Sequence, residues 1–389
     1  MPSRARQTAI SLSAMATIGS SYGWSITGLV LQSAKSQSPV TSDWTFAGLV
    51  LGIGIGVGLS GFIIRVIGYR RTILLGMILW GASLLAAASI GFGGSIPLLW
   101  TTYGLPGGIG VGMAYLVLVL IFREAFKNRP LLGGAIGPLG FTSGTIIFAI
   151  AQWSGFGPHA NTIVHIALGI TSIVLGFTVT FLDLDPPKPE CSSELVPSLR
   201  SGRFWRLWAI LAINVAPGMA TVAVGAIWLT NASGISPRSA VLRFASATPA
   251  LSAGQLFWGY IASKFGDRIS FMAMFAIRFL AFLFAIWMPS HFDVWAIFVL
   301  VLSCHGGGFG LIPKIVRRSL SGNDSRVLGL ILTAWGIGGF LGVLLILPHT
   351  ENSSIYSGIN ALTVLMLLGF LTTLGTNFSK DSERPARAD

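Results

Sequence analysis

Some twelve apolar stretches, each of about twenty residues and so about long enough to span a bilayer, fill nearly the whole chain, with lysine and arginine gathered in every second gap between them. A helix rising about 1.5 Å per residue needs about 20 such residues to cross roughly 30 Å of hydrocarbon, so the chain reads as an all-α, polytopic membrane protein. Of its 389 residues, 53% are hydrophobic and 10% charged, which leaves no stretch for a soluble domain of any size. The predicted spans are 8–31, 44–66, 72–90, 96–122, 131–153, 160–182, 204–229, 241–263, 269–288, 294–316, 327–347 and 354–378. Only the first seven residues, the connection 183–203 and the tail after Phe378 read as extended and polar.

A net charge of +12 would suit a nucleic-acid binder, but its placement argues otherwise. With the N-terminus in the cytoplasm, alternate gaps hold 21 of the 25 lysines and arginines, among them Arg65, Arg70 and Arg71, Arg123, Lys127 and Arg129, and Lys314, Arg317 and Arg318. The opposite side keeps only Lys35, Arg238 and Arg243, and Arg278 falls inside a span. This asymmetry predicts an even number of crossings with both termini cytoplasmic, in the cell's inner membrane. Basic charge then sets orientation and needs no anionic partner beyond lipid headgroups, so no nucleic acid is expected. The first segment exceeds a signal peptide's apolar length and is expected to stay as a helix. Cys191 and Cys304, one in a loop and one in a span, give neither a disulfide framework nor a zinc site, and no metal or other cofactor is expected.

The chain repeats at half its length. Gly61 and Gly68 close the second span as GFIIRVIGYRR, and Gly259 and Gly266 close the eighth as GYIASKFGDR, both pairs 198 residues apart. Gly107, Gly108 and Gly110 in the fourth span find counterparts in Gly306, Gly307, Gly308 and Gly310 in the tenth. The linker LDLDPPKPECSSELVPSLRSGR mixes prolines, acids and serines that neither span a bilayer nor pack a core. The expected division is therefore a bundle at 1–182, a cytoplasmic tether at 183–203 and a second bundle at 204–389, the pattern of a transporter built from duplicated units around a central site.

With a G-x-x-x-x-x-x-G-x-R loop between the second and third spans of each half, the sequence resembles the major facilitator superfamily. Its nearest likeness is to the oxalate/formate antiporter and monocarboxylate transporter families. The likeness rests on Tyr22-Gly23-Trp24, GGIGVGMAY (107–115), FWRLWAILAINVAPG (204–218), GQLFWG (254–259), GGGFGLIP (306–313) and LILTAWGIGGFLG (330–342). It implies twelve transmembrane helices in two pseudo-symmetric six-helix bundles, alternating access, and an organic-anion substrate, monocarboxylate-like, moved by exchange or facilitated passage. The superfamily loop is degraded: Arg65 and Ser263 stand where an aspartate is usual, which puts the usual gating salt bridge there in doubt.

None of the 13 acidic residues falls near the middle of a span, which disfavours proton coupling through a buried carboxylate and leaves a cation substrate without a counter-charge. His165 and His305 are either proton carriers or helix-packing histidines. Arg278, mid-span in FAIRFLAF, costs about 2.5 to 3.5 kcal/mol at that depth. It is either an anion-attracting charge on the transport path or a structural arginine bonded to neighbouring carbonyls or lying over Phe275 or Phe282. In the resembling families an arginine often stands at the position of Gln255, and the oxalate exchanger has a lysine at that of Trp335. The loss of both cations argues against oxalate and for a larger, less charged or partly apolar substrate. The resemblance places the helices bearing Tyr22, Trp24, Tyr115, Asn214, Gln255, His305 and Trp335 around the cavity, and with Arg278 these are the candidate substrate-binding residues. For Asn214 an interhelical hydrogen bond is the alternative, and for Trp335 a packing role. GGIGVG lies inside a span with no preceding strand and is no dinucleotide site. GGAIGPLG (133–140) resembles a motif of exchangers, and its Pro138 removes one helical hydrogen bond between flexible glycines.

The expectation is thus a transporter working as a monomer in lipid on a small molecule, a carboxylate. A neutral or amphipathic metabolite is the alternative. A membrane-embedded enzyme would need a catalytic or metal cluster that the spacing of His, Asp and Glu does not offer. A sensor would be expected to carry a further signalling domain, for which the tail after Phe378 leaves little room.

Overall fold

The computed structural model describes residues 4–34, 39–92, 94–182, 195–288, 293–321, 324–346, 356–376 and 378, and among them the backbone is helical without a strand. Crossing 1 runs through Arg4–Gly19, a 3-10 turn at Ser20–Gly23, and Trp24–Ser33. Crossings 2 and 3 share Pro39–Ile90. Crossing 4 is Ile96–Leu99, a π-helical turn at Trp100–Gly104, and Leu105–Ala125. Crossings 5 and 6 are Pro130–Ser154 and Pro158–Thr180.

The second half follows the same plan. Crossing 7 is Gly202–Ser233, and crossing 8 is Pro237–Ala247 with Pro249–Phe265. Crossing 9 is Asp267–Trp287, crossing 10 is Val294–Val316, crossing 11 is Ser325–Ile346 and crossing 12 is Tyr356–Leu374. Among the described residues eight helices are long and apolar enough to span a bilayer unaided, and Ser42–Ile90 holds two crossings. Apolar side chains also cover the outside: Val174 is 57% and Leu280 62% exposed, a surface suited to lipid and not to water.

The half-length repeat has a backbone basis. Gly68, between crossings 2 and 3, has φ 80° and ψ 167°, and Gly266, between crossings 8 and 9, has φ 88° and ψ 158°. Only glycine adopts that conformation freely, so the two residues turn the chain back at equivalent points of each bundle. The packing repeats too: Gly144 of crossing 5 lies on the Ala16 carbonyl of crossing 1, and Gly342 of crossing 11 on the Ala216 carbonyl of crossing 7.

The tether departs from its expected extended form. Leu195–Arg200 is a short helix with Ser198 buried, because Pro197 falls in the first turn, where a missing N–H costs nothing. Crossing 7 then starts at Gly202, capped by Ser201, whose Oγ accepts from the Phe204 N–H at 3.2 Å. Residues 183–194, with Lys188 and Cys191, and the basic tail from 379 onward lie outside the described residues.

Crossing 2 meets crossing 11 across the bundle interface at backbone distance: a Cβ on either Gly54 or Gly336 would sit 2.5 Å from the other's Cα. Near mid-length the hydroxyls of Thr142 (crossing 5) and Ser252 (crossing 8) share a hydrogen bond of 2.9 Å. At the end away from the basic loops, Arg238 Nε donates to the Trp153 carbonyl at 2.9 Å while its guanidinium lies 4.9 Å above the Trp153 ring.

Candidate functional site

Near mid-length of the helices, a narrow cavity separates the two bundles. Crossings 1, 4 and 5 contribute Tyr22, Tyr115, Pro138 and Phe141, and crossings 8, 10 and 11 contribute Leu251, Gln255, His305, Phe309 and Trp335. The wall is aromatic and set edge to face. Tyr22 meets Phe141 at 4.8 Å between centroids and 85°, Tyr115 meets Trp335 at 4.9 Å and 69°, and Phe309 meets Trp335 at 5.0 Å and 77°. Such pairs contribute about 0.5 to 1.5 kcal/mol each beyond burial, so they hold the cavity nearly shut while leaving it free to part. About 20 Å3 is open to the centre of a water molecule, room for roughly one water and too little for an organic anion.

Polar handles punctuate this wall. His305 spans the interface: its Nε2 lies 3.4 Å from the Tyr22 hydroxyl, and its other face rests on Gly218 of crossing 7, where no side chain would fit. Trp335 is 2% exposed, and its Nε1 faces the Tyr22 hydroxyl without completing a well-formed hydrogen bond to any described residue. The Gln255 amide lies on the same wall, and among the described residues no carboxylate, lysine or arginine lines the space. An indole N–H buried without an acceptor costs about 1 to 3 kcal/mol, which a ligand oxygen would relieve.

Five of the eight candidate residues therefore surround one space, and three stand elsewhere. Trp24 faces the interior of its own bundle, donating from Nε1 to the Ser42 carbonyl at 2.9 Å and stacking on Tyr103 at 5.0 Å. Two positions beyond Tyr22 and just past the 3-10 turn at Ser20–Gly23, it points to a different face of crossing 1, since each residue of such a turn advances the chain by about 120°. Asn214 is fully buried between crossings 7, 9 and 10, with Nδ2 donating to the carbonyls of Cys304 at 3.2 Å and His305 at 3.3 Å. Arg278 is fully buried and turned away from the cavity wall. It donates to Asn214 Oδ1 at 2.6 Å, the Asn214 carbonyl at 2.8 Å and the Met274 carbonyl at 3.1 Å, over the Phe275 ring at 5.3 Å. A guanidinium has donors for several carbonyls, and here neighbouring helix carbonyls claim them before any ligand. His165 packs against Phe92 at 4.5 Å with Nδ1 2.7 Å from the Asn161 carbonyl, apart from the cavity.

Phe141, Phe309, Leu251 and Pro138 line the space without having been picked out as site residues. Pro138 lies within GGAIGPLG and Phe309 within GGGFGLIP, Phe141 adjoins the first and Leu251 stands three residues before GQLFWG, and that neighbourhood was the available signal. At the basic end, Asp267 beside Gly266 holds Arg318 at 2.6 Å and Lys314 at 3.6 Å. The second half thus keeps a loop-to-helix ion pair one residue past the turn glycine, while Ser263 bonds only its own helix, at the Tyr260 carbonyl.

The sequence profile of the Major Facilitator Superfamily matches residues 12–343. The chain belongs to this superfamily. Membership makes it a multi-pass membrane protein of a transporter superfamily. It is similar to apicoplast pyruvate carrier 1 of Toxoplasma gondii, 24% identical over an alignment covering 73% of this chain. The match spans 64% of that protein's length. Among solved structures, the nucleoside transporter NupG superposes with a TM-score of 0.73 at 13% identity, covering 96% of this chain and 99% of that one. The D-xylose-proton symporter gives 0.70 at 14% identity, covering 98% and 99%. A bacterial homologue of the lysosomal transporter Spinster, inward-facing and occupied, gives 0.69 at 14%, covering 96% and 97%. Likeness at these identities concerns the superfamily fold.

Proposed function

We propose that this chain carries a small organic anion of monocarboxylate type across the cell membrane. Two bundles, 1–182 and 204–389, would rock about the Gly54–Gly336 contact so that the mid-membrane cavity opens to one face at a time. The observation that carries the reading is the Trp335 N–H, buried without a well-formed hydrogen bond, on one wall with the Gln255 amide in an aromatic cavity that among the described residues has no carboxylate. Those donors suit a carboxylate oxygen, and the rings suit a short apolar remainder. The similarity to a protein named as a pyruvate carrier supports the same class.

Binding would require the Tyr115, Phe309 and Trp335 rings to part, since the present space admits little more than a water. The Tyr22–His305 and Thr142–Ser252 contacts, both between bundles, would break and re-form in each cycle. Exchange of one anion for another fits this scheme, because a cavity emptied of its ligand leaves buried donors unpaired. The second reading is a neutral or amphipathic metabolite, favoured by the absence of any cation on the cavity wall.

Counterflow in proteoliposomes tests the choice, with labelled pyruvate, lactate, oxalate and neutral amides offered in parallel. Monocarboxylates are expected to exchange and oxalate to be taken up poorly, because Gln255 and Trp335 supply no charge for a second carboxylate. Robust oxalate exchange overturns the monocarboxylate reading, and uptake of amides alone establishes the neutral one. Cysteine labelling of the two chain ends in intact cells is expected to place both in the cytoplasm.

A further inference from the structure

We propose that Arg278 supplies the positive charge that draws an anion to the cavity without touching it, acting through Asn214. The proposal rests on the anion reading above and names its electrostatic source.

Arg278 sits at the middle of crossing 9 with no exposed surface. Every contact given for its guanidinium is to a neutral group: the Asn214 Oδ1 and carbonyl, the Met274 carbonyl and the face of Phe275. No described carboxylate lies within ion-pair distance, so the hydrogen bonds solvate the charge without cancelling it. A buried charge usually comes with a counter-ion, because removing it from water costs several kcal/mol that dipoles alone offset only in part. Among the described residues no anionic partner stands beside it, and the thiol of Cys304 is a titratable group that faces it.

The route to the cavity is short and oriented. Asn214 turns its carbonyl oxygen to Arg278 and its amide N–H groups to the Cys304 and His305 carbonyls of crossing 10. The amide dipole therefore points its positive end from the guanidinium toward the helix whose His305 ring forms the cavity wall. Gly308, one turn on, presses against the same Asn214 nitrogen, leaving no room for water to screen this line. For a separation on the order of 10 Å and an effective dielectric constant of about 20, a unit charge raises the affinity for a unit anion more than tenfold. A charge held one residue behind the wall attracts any small anion while leaving size and shape to the aromatic rings. This accounts for a cavity that has lost both cations of the resembling families and still sits in a positive field.

The test uses the full-length protein in proteoliposomes and compares the KM for pyruvate with the inhibition constant for pyruvamide, its neutral isostere. The wild type is expected to favour pyruvate. Arg278→Met, which keeps an unbranched stem and removes the charged guanidinium, is expected to shrink that preference at least fivefold. Arg278→Lys, which keeps the charge but cannot reproduce the two-bond grip on Asn214, is expected to hold it within threefold even as thermal stability falls. A preference that survives Arg278→Met overturns the proposal alone. Equal loss in both variants overturns it too, assigning Arg278 to positioning of Asn214. A wild type that does not favour pyruvate overturns the anion reading together with this one. Should Arg278→Met fail to reach the membrane, Arg278→Lys decides: retention upholds the field and loss overturns it.

Discussion

Each bundle buries a polar network, and the two differ in charge. In the first, Gln152 Nε2 and Thr27 Oγ1 donate to Asn161 Oδ1 at 2.8 and 3.3 Å, and His165 bonds the Asn161 carbonyl, tying crossings 1, 5 and 6 together. Among the described residues no carboxylate, lysine or arginine takes part. In the second, a full guanidinium charge is spread over Asn214 and Met274, linking crossings 7, 9 and 10. The first network ends within its own bundle, against Phe92 and Phe148. The second ends at the backbone of His305, on the cavity wall. Pseudo-symmetric halves that share turn glycines and helix-packing contacts have thus divided the work, one holding helices and the other adding charge beside the proposed binding space.

If that division is right, removing the hub of the charged network costs most. Asn214→Leu removes the Oδ1 acceptor, one of Arg278's three hydrogen bonds, together with both Nδ2 bonds to crossing 10, and about 3 kcal/mol of stability or more is expected to go, read as a large fall in the thermal midpoint in detergent. The equivalent cut in the neutral network, Asn161→Leu, strands the Gln152 amide and is expected to cost about 1 to 3 kcal/mol, with pyruvate uptake kept per folded molecule. Equal losses in the two variants would erase the contrast. Trp335→Phe keeps the ring and deletes the N–H, so pyruvate affinity is expected to fall about tenfold, or about 1.4 kcal/mol, with little change in melting. Trp24→Phe makes the same deletion at a tryptophan bonded to the Ser42 carbonyl, and a loss of about 1 kcal/mol in stability is expected with affinity unchanged. A Trp24 variant that loses affinity instead would return that residue to the site.

Much of this architecture was readable in the chain because the bilayer enforces it. Apolar length and alternating basic loops fix crossings with no knowledge of contacts, and the matching 198-residue spacing of Gly68 and Gly266 marks two turns that only glycine makes easily. The site was readable in part. Tyr22, Tyr115, Gln255, His305 and Trp335 lie on helices that the family resemblance places inward, and their side chains follow. Trp24 faces away from this cavity because which face a residue presents depends on helix rotation, and no local signal marks the 3-10 turn at Ser20–Gly23. Arg278 was undecidable from sequence, since the choice between a ligand and Asn214 is made by a helix 64 residues away. Phe141 and Phe309 were hidden among 25 phenylalanines, most of which meet only lipid or core. The short helix at Leu195–Arg200 was overlooked because prolines and serines dominate the segment before it.

The Gly54–Gly336 contact leaves the protein an unusual genetic vulnerability. A side chain added on one partner is ordinarily accommodated by trimming the other, yet here both partners already carry the smallest side group available. Damage at either position has no rescue across the seam, so suppressors of Gly54 lesions would have to arise elsewhere, by shifting one whole helix against the other.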